Sequence, residues 1–221
     1  MNTVSQRPEF FELHNGSKSP LPFPAAEYER RIVALRQLMS DRGLRAILLT
    51  SMHNVAYYSG FLYCSFGRPY ACIVTEPGCT TISANIDLGQ PWRRSYGDNL
   101  IYTDWKRDNY WRAVNHVLPQ TDLVGIEDDH LTLAARQKME SLKSNLQAED
   151  ISNDIMALRM IKSAEEIVLI KGGARIADIG GAAVRDAIHA GARENDVAMA
   201  GRDAMELAIA CLLYTSDAAD E

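Results

Sequence analysis

The stretch that most constrains the fold is His53–Val74, which reads HNVAYYSGFLYCSFGRPYACIV. It lies between two apolar runs that are typical of β-strands, Ala46–Thr50 before it and Ala71–Thr75 at its end. Aromatic side chains are concentrated between these runs, at Tyr57, Tyr58, Phe61, Tyr63 and Phe66. Because aromatic rings bury large apolar areas, most of the stretch is predicted to be buried.

One charged residue, Arg68, stands in this aromatic setting within Phe-Gly-Arg-Pro. Gly67 permits a backbone turn there, and Pro69 fixes the φ angle that follows. A guanidinium held by a rigid turn can grip a planar carboxylate with two parallel hydrogen bonds. The alternative is an arginine that pairs with a neighbouring acid or extends its head group into solvent. The residues alone favour this alternative.

The order of the remaining segments predicts an α/β fold. Apolar residues recur at three- to four-residue steps from Ala25 to Met39, which predicts a helix closed by Gly43. A Pro–Gly turn separates Ala71–Thr75 from Thr80–Asn85 and predicts a β-hairpin. The later predicted segments are strand Leu100–Thr103, helix Arg107–Leu118, strand Leu123–Glu127 and helix Leu131–Ser144. Strands that alternate with helices indicate an α/β sandwich, and the hairpin makes its sheet mixed.

Domain limits follow from the same pass along the chain. Residues 1–24 are polar and proline-rich towards their end, so they are predicted to form an extended arm, and residues 25–157 to form the α/β domain. Ser163 and Glu166 have the spacing of a capping box, which predicts a helix running to about His189. The glycine pairs at 172–173 and 180–181 inside this helix predict close approach to another element.

Composition excludes several functional classes. The net charge is −6 and the sequence pI is about 5.4, with no basic stripe for nucleic acid and no polybasic membrane patch. No apolar run has the length of a membrane span and no signal pattern is present at the start, so a cytoplasmic location is predicted. Reduced thiols are expected for the cysteines, which are Cys64, Cys72, Cys79 and Cys211.

Two blocks, HNVAYYSGFLYCSFGRPYA and ISANIDLGQPWRRSYGDNLIYTDWKRDNYW, resemble the amino-terminal domain of the creatinase (creatine amidinohydrolase) family. The similarity continues through RMIKSAEEIVLIKGGARIADIGGAAV, a segment shared with the wider creatinase, prolidase and methionine-aminopeptidase superfamily. The resemblance implies a creatinase/prolidase-type amino-terminal domain, with a mixed sheet flanked by helices in a ribonuclease-H-like arrangement. Residues 158–210 would then be the first helices of a truncated pita-bread catalytic domain.

The resemblance also implies a function, which is the hydrolysis of creatine to sarcosine and urea by a homodimer that needs no cofactor and no metal. The family's catalytic residues would fall after residue 210, so this chain alone is expected to be inactive. Phe66 matches the family's aromatic wall, Arg68 matches its carboxylate-binding arginine, and Cys64 matches a cysteine near the site. Cys64 is interpreted as a buried neighbour rather than a nucleophile, since no histidine stands in sequence context to activate it.

Two other interpretations stay open: another hydrolase of the superfamily, such as a proline-specific peptidase, and a non-catalytic dimerisation module. The five histidines are scattered without metal-ligand spacing, so no metal site is predicted. The acidic run Glu127–Asp129 is expected to be solvated or to lie in a dimer contact. Cys211–Glu221 fits neither the helical pattern nor the resemblance. Back-translated, it reads as a sequencing-library adapter, and it is predicted to be a non-native tail.

Overall fold

A mixed sheet of seven strands organises the computed structural model, which describes residues 7–63, 67–119, 123–142 and 145–217. In chain order the strands are β1 (Phe10–Phe11), β2 (Ala46–Leu49), β3 (Ala71–Thr75), β4 (Cys79–Ala84), β5 (Asp98–Tyr102), β6 (Leu123–Ile126) and β7 (Gln147–Asp150). Their order across the sheet is β1-β5-β4-β3-β2-β6-β7. The pairs β2–β6, β6–β7 and β4–β5 are parallel, and the other three are antiparallel. The predicted hairpin is β3–β4, and the predicted mixed sheet is confirmed.

Helices connect these strands. They are α1 (Ala25–Arg42), α2 (Met52–Ser59), α3 (Gln90–Arg93), α4 (Asn109–Val117), α5 (Leu133–Ser141), α6 (Ser152–Met160), α7 (Ala164–Ala187) and α8 (Glu194–Asp217). Helix α1 ends as predicted at Gly43, whose φ of 67° places it in the left-handed region that favours glycine. Helices α2, α3 and α6 and strands β1 and β7 are additional to the predicted elements.

The core lies on the central strands. Every residue of β2 is buried, as are the first four residues of β3, without the alternation of a strand that faces water. Continuous burial is typical of strands covered on both faces. The largest fully buried side chains are Tyr28, Tyr58, Ile32, Leu35, Ile47, Leu48, Leu49, Ile73, Ile82, Ile101, Ile126 and Met139. The predicted burial of the aromatic stretch is confirmed for Tyr58, Phe61 and Tyr63, whereas Tyr57 is half-buried.

The amino-terminal arm packs onto this sheet, which its composition did not indicate. Phe10 and Phe11 form β1 and pair with β5. Lys18 Nζ donates hydrogen bonds to the carbonyl oxygens of Ser95 (2.7 Å) and Gly97 (2.6 Å) and lies 3.8 Å from the ring centroid of Trp92. Burial of this ammonium group lowers the pKa of Lys18.

The chain divides into two compact units, Met1–Ile161 and Lys162–Glu221. Helix α7 opens the second unit with the predicted capping box. Ser163 N donates to Glu166 Oε2 at 2.8 Å, and Glu166 N donates to Ser163 Oγ at 3.2 Å. The amino end of α7 is therefore specified locally.

Close packing of α7 on α8 explains one of the four glycines inside α7. A Cβ added to Gly180 would lie 2.6 Å from Met205 Cγ, and one added to Gly201 of α8 would lie 2.5 Å from Val184 Cγ2. The predicted close approach is confirmed for Gly180. Among the described residues nothing lies within 4 Å of a Cβ added to Gly172, Gly173 or Gly181, so the predicted close approach is not found at these three.

Helix α7 also exposes apolar side chains on successive positions. Ile167, Val168, Leu169 and Ile170 are 43%, 71%, 55% and 54% exposed. Four consecutive residues point to all sides of a helix, so this one turn of α7 is apolar all round, which is typical of a segment in a protein core. No helix in the described residues has both the length and the apolar character needed to cross a membrane.

We expect the backbone amides of α7 to exchange with solvent faster than those of β2 in the 221-residue chain. The apolar side chains of α7 are exposed, whereas β2 is buried in a completed core, and low burial favours local opening. Hydrogen–deuterium exchange followed by mass spectrometry measures the difference. Equal protection of Glu165–Ala187 and Ala46–Leu49 would contradict the expectation.

Candidate functional site

Five of the seven strands in the described sheet end at the same edge. Strands β2, β4, β5, β6 and β7 all end there, because the parallel pairs share a direction and β3 runs opposite to β2 and β4. Leu49 at the end of β2 pairs with Cys72 near the start of β3, and Tyr102 at the end of β5 pairs with Ala84 at the end of β4. We call this the carboxyl edge. Open α/β sheets bind ligands outside the carboxyl ends of their strands.

Arg68 lies at the carboxyl edge, in a bend just before β3. The preceding Gly67 has a φ of 77°, so the turn there requires glycine. Arg68 Nη1 donates to Asp104 Oδ1 at 2.6 Å, and the two side chains are 41% and 32% exposed. The ion pair named as the alternative interpretation is therefore present, on a guanidinium that is still reached by solvent. Cys64 and Phe66 lie outside the described residues.

Tyrosine side chains hold the chain that carries Arg68. Tyr63 and Tyr70 stack with ring centroids 4.2 Å apart, and Tyr102 OH donates to Pro69 O at 3.0 Å. Tyr63 OH also donates to Thr50 O at 3.0 Å, which connects the loop to the end of β2. Burial raises the pKa of Tyr63 to about 12, so its hydroxyl remains a donor at neutral pH.

Glu127 is the buried polar centre of the carboxyl edge. It follows β6 directly and is 2% exposed. Its Oε2 accepts from the backbone N–H groups of Thr50 and Ser51 (3.0 Å to Ser51), and its Oε1 accepts from Ser51 Oγ at 2.6 Å and Asn54 Nδ2 at 2.5 Å. The carboxylate therefore joins the end of β2 and the start of α2 to β6.

The prediction that the acidic run is solvated or lies in a dimer contact is wrong for Glu127, which is buried within its own subunit, whereas Asp128 and Asp129 are exposed. The sequence carries one cue to this difference. Glu127 comes immediately after a buried strand, whereas its two neighbours come later in the turn. Burying a carboxylate is costly unless its oxygens accept hydrogen bonds, and both oxygens of Glu127 accept them from neutral donors.

An ion-pair cluster holds the other end of α2. Arg31 Nη1 donates to Tyr57 O at 2.8 Å, and Arg31 Nε donates to Glu27 Oε1 at 2.9 Å. Glu27 also pairs with Arg30, whose Nη2 lies 2.7 Å from Glu27 Oε1. Chiefly through the hydrogen bond from Arg30, the pKa of Glu27 is lowered to about 2. Helix α2 is thus held at both ends by charge-assisted hydrogen bonds.

Among the described residues, no group of three or more His, Cys, Asp or Glu side chains could hold a metal ion. What the carboxyl edge offers instead is a solvent-accessible guanidinium on a loop fixed by aromatic packing and hydrogen bonds. Such an arrangement can bind and orient an anionic group such as a carboxylate.

The fold and the carboxyl edge are those of an α/β domain that precedes a second unit in the same chain. Residues 31–161 match the family described as the Creatinase/Prolidase N-terminal domain, which covers more than half of the chain. The chain therefore belongs to the Creatinase/Prolidase N-terminal domain family.

Two relatives give the particular resemblance. The creatinase of Bacillus sp. (strain B-0618) is 49% identical over 203 residues, which cover 90% of this chain and 49% of that protein. An uncharacterized hydrolase/peptidase of Sinorhizobium fredii is 25% identical over 196 residues, which cover 81% of this chain and 50% of that protein. The chain thus spans about half the length of these relatives.

Solved structures share the fold. The prolidase of Pyrococcus horikoshii OT3 superposes with a TM-score of 0.66 at 22% identity, over 80% of this chain and 48% of that one. The X-Pro aminopeptidase of Thermotoga maritima MSB8 superposes with a TM-score of 0.67 at 20% identity, over 82% of this chain and 49% of that one. The predicted creatinase/prolidase-type fold is confirmed.

Replacing the buried carboxylate should be costly. We expect Glu127→Gln to lower the free energy of unfolding by roughly 3 kcal/mol, because the amide replaces a charged acceptor and turns an N–H₂ group towards N–H and O–H donors. Urea denaturation of the 221-residue chain measures the change. Asp129→Asn also replaces a carboxylate with an amide, at an exposed position of the same turn. Its free energy of unfolding should stay within about 0.5 kcal/mol of the wild-type value. Equal effects of the two substitutions would show that Glu127 is not the centre of this edge.

Proposed function

We propose that this chain is the amino-terminal part of a longer hydrolase that converts creatine and water to sarcosine and urea by cleaving an amidine C–N bond. The observation that carries the proposal is the 49% identity to a creatinase over 90% of this chain. The identity to the prolidase and the X-Pro aminopeptidase is 22% and 20%, which indicates a shared fold alone.

In this proposal Arg68 binds the carboxylate of creatine. Creatine carries a guanidinium at one end and a carboxylate at the other, so its site needs an acidic and a basic partner. The accessible guanidinium of Arg68 at the carboxyl edge suits the basic role. Phe66 would supply an aromatic wall and Cys64 would lie nearby, both by resemblance to the family.

The remaining chemistry belongs to the half of the protein after residue 210. Hydrolysis requires a water molecule that attacks the amidine carbon and a proton for the departing sarcosine nitrogen. An arginine keeps its charge in proteins, so Arg68 orients the substrate but does not transfer that proton. We place the acid/base residue in the second half and propose a homodimer, in which Arg68 of one subunit serves the catalytic domain of the other.

The second candidate is a proline-specific peptidase, because the family that matches residues 31–161 is described by prolidase as well as by creatinase. Two assays on the full-length protein separate the candidates. Urea release from creatine supports the first, and cleavage of an X-Pro dipeptide supports the second. A non-catalytic dimerisation module would show neither activity.

In the full-length enzyme we expect Arg68→Ala to lower kcat/KM for creatine by about 10- to 150-fold, the value of a charge-assisted hydrogen bond of roughly 1.5–3 kcal/mol. Arg68→Lys should recover part of the loss, because it keeps the charge without the planar guanidinium. Arg45→Ala is the matched control, since Arg45 is exposed just before β2, at the opposite edge of the sheet. A lowered melting temperature with unchanged kcat/KM would make Arg68 a structural ion-pair partner instead.

The 221-residue chain by itself is expected not to turn over creatine, because the acid/base residue lies outside it in this proposal. A coupled urea assay on the purified chain, with heat-treated protein as the control, measures this directly. Urea release above that control would place the catalytic group within these residues, and the proposal that the acid/base residue lies after residue 210 would be wrong.

A further inference from the structure

The partner of Arg68 has an unusual setting for an exposed acid. Ion pairs on protein surfaces contribute little, because two long side chains lose conformational freedom for a contact that water screens. The contact between Arg68 Nη1 and Asp104 Oδ1 is 2.6 Å long and half-exposed, so on exposure alone it would be of this weak kind.

The residues on both sides of Asp104 are held by hydrogen bonds, however. Thr103 N donates to Glu9 O at 3.0 Å, and Thr103 Oγ1 donates to Pro8 O at 2.8 Å. Trp105 Nε1 donates to Pro8 O at 2.7 Å. Both neighbours of Asp104 are therefore hydrogen-bonded to the amino-terminal arm. The Asp104 carboxylate thus projects from a turn that is held in place on both sides.

The backbone beside Arg68 is fixed as well, by the hydrogen bond from Tyr102 OH to Pro69 O at 3.0 Å. The pKa of the Tyr102 hydroxyl is shifted by both charges of the pair. Burial raises the pKa of Tyr102 most, the Asp104 carboxylate raises it further, and the Arg68 guanidinium opposes them. Arg68, Asp104 and Tyr102 thus lie close together at the carboxyl edge, linked by the Arg68–Asp104 ion pair and by the hydrogen bond from Tyr102 OH to Pro69 O.

A guanidinium has five N–H donors, and the ion pair with Asp104 uses Nη1. We propose that Asp104 is a positioning residue that holds the guanidinium of Arg68 in one orientation, so that its other N–H donors meet the substrate carboxylate without a search among rotamers. This inference rests on the proposed function, in which Arg68 binds that carboxylate. Its physical basis is that immobilising a long side chain beforehand removes a cost from binding.

Asp104 also brings a negative charge close to an anionic ligand, and a simple deletion would mix the two effects. Asp104→Asn and Asp104→Ala both remove this charge. Asparagine keeps an oxygen acceptor at the position of Oδ1, and alanine does not. The comparison between these two variants therefore isolates the hydrogen bond to Arg68.

In the full-length enzyme, we expect KM for creatine to be about 2- to 10-fold higher in Asp104→Ala than in Asp104→Asn, with kcat equal within about twofold. The matched control is Asp108, which pairs with Lys138 Nζ at 2.9 Å and is similarly exposed. Asp108→Ala and Asp108→Asn should have the same KM.

The Arg68→Ala background completes the test. If Asp104 acts through Arg68, the difference between Asp104→Ala and Asp104→Asn disappears when Arg68 is absent. A difference that persists there, or equal KM values in the wild-type background, overturns the positioning role. If Arg68→Ala itself leaves kcat/KM unchanged, the proposed carboxylate-binding role of Arg68 is wrong, and this inference is wrong with it. A large Arg68→Ala effect combined with equal KM values for the Asp104 variants removes this inference alone. Absence of urea release by the wild-type enzyme removes the proposed function.

Discussion

The burial of one carboxylate, Glu127, sets the arrangement of the carboxyl edge. A buried charge is tolerated only when donors surround it, and the donors available here come from the end of β2 and the first turn of α2. Meeting that requirement fixes where β2 stops and where α2 begins. Tyr63 OH then donates a hydrogen bond to Thr50 O, so the loop that leads to Arg68 is attached to the same end of β2. The candidate site is thus positioned through a residue that does not belong to it.

The sequence predicts the fold well where the pattern is local. The helix ending at Gly43, the hairpin at the Pro–Gly turn and the capping box at Ser163 each depend on a few adjacent residues, and each is present in the structure. Strand β7 is not predicted from the sequence, because its residues, QAED, lack the apolar alternation of a strand. Its place is set by pairing with β6.

The candidate site was predictable only in part, for a similar physical reason. The turn around Arg68 follows from Gly67 and Pro69, which are neighbours in sequence. Its partner Asp104 lies 36 residues further along the chain, and the hydrogen bonds to Glu127 span more than 70 residues. Such contacts depend on sheet order, which a single sequence does not show. Helix α2 had a local cue, since Ser51 caps its start and Gly60 closes its end.

The outer strands of the sheet have a consequence for association between chains. A long, flat, uncovered edge strand is a template for unwanted pairing with other molecules. Here one outer strand, β1, has two residues, and the other, β7, has four and ends in Glu149 and Asp150. Glu149 is also engaged by Arg42 at 2.9 Å. Short length at one side and charge at the other therefore protect the sheet against edge-to-edge aggregation.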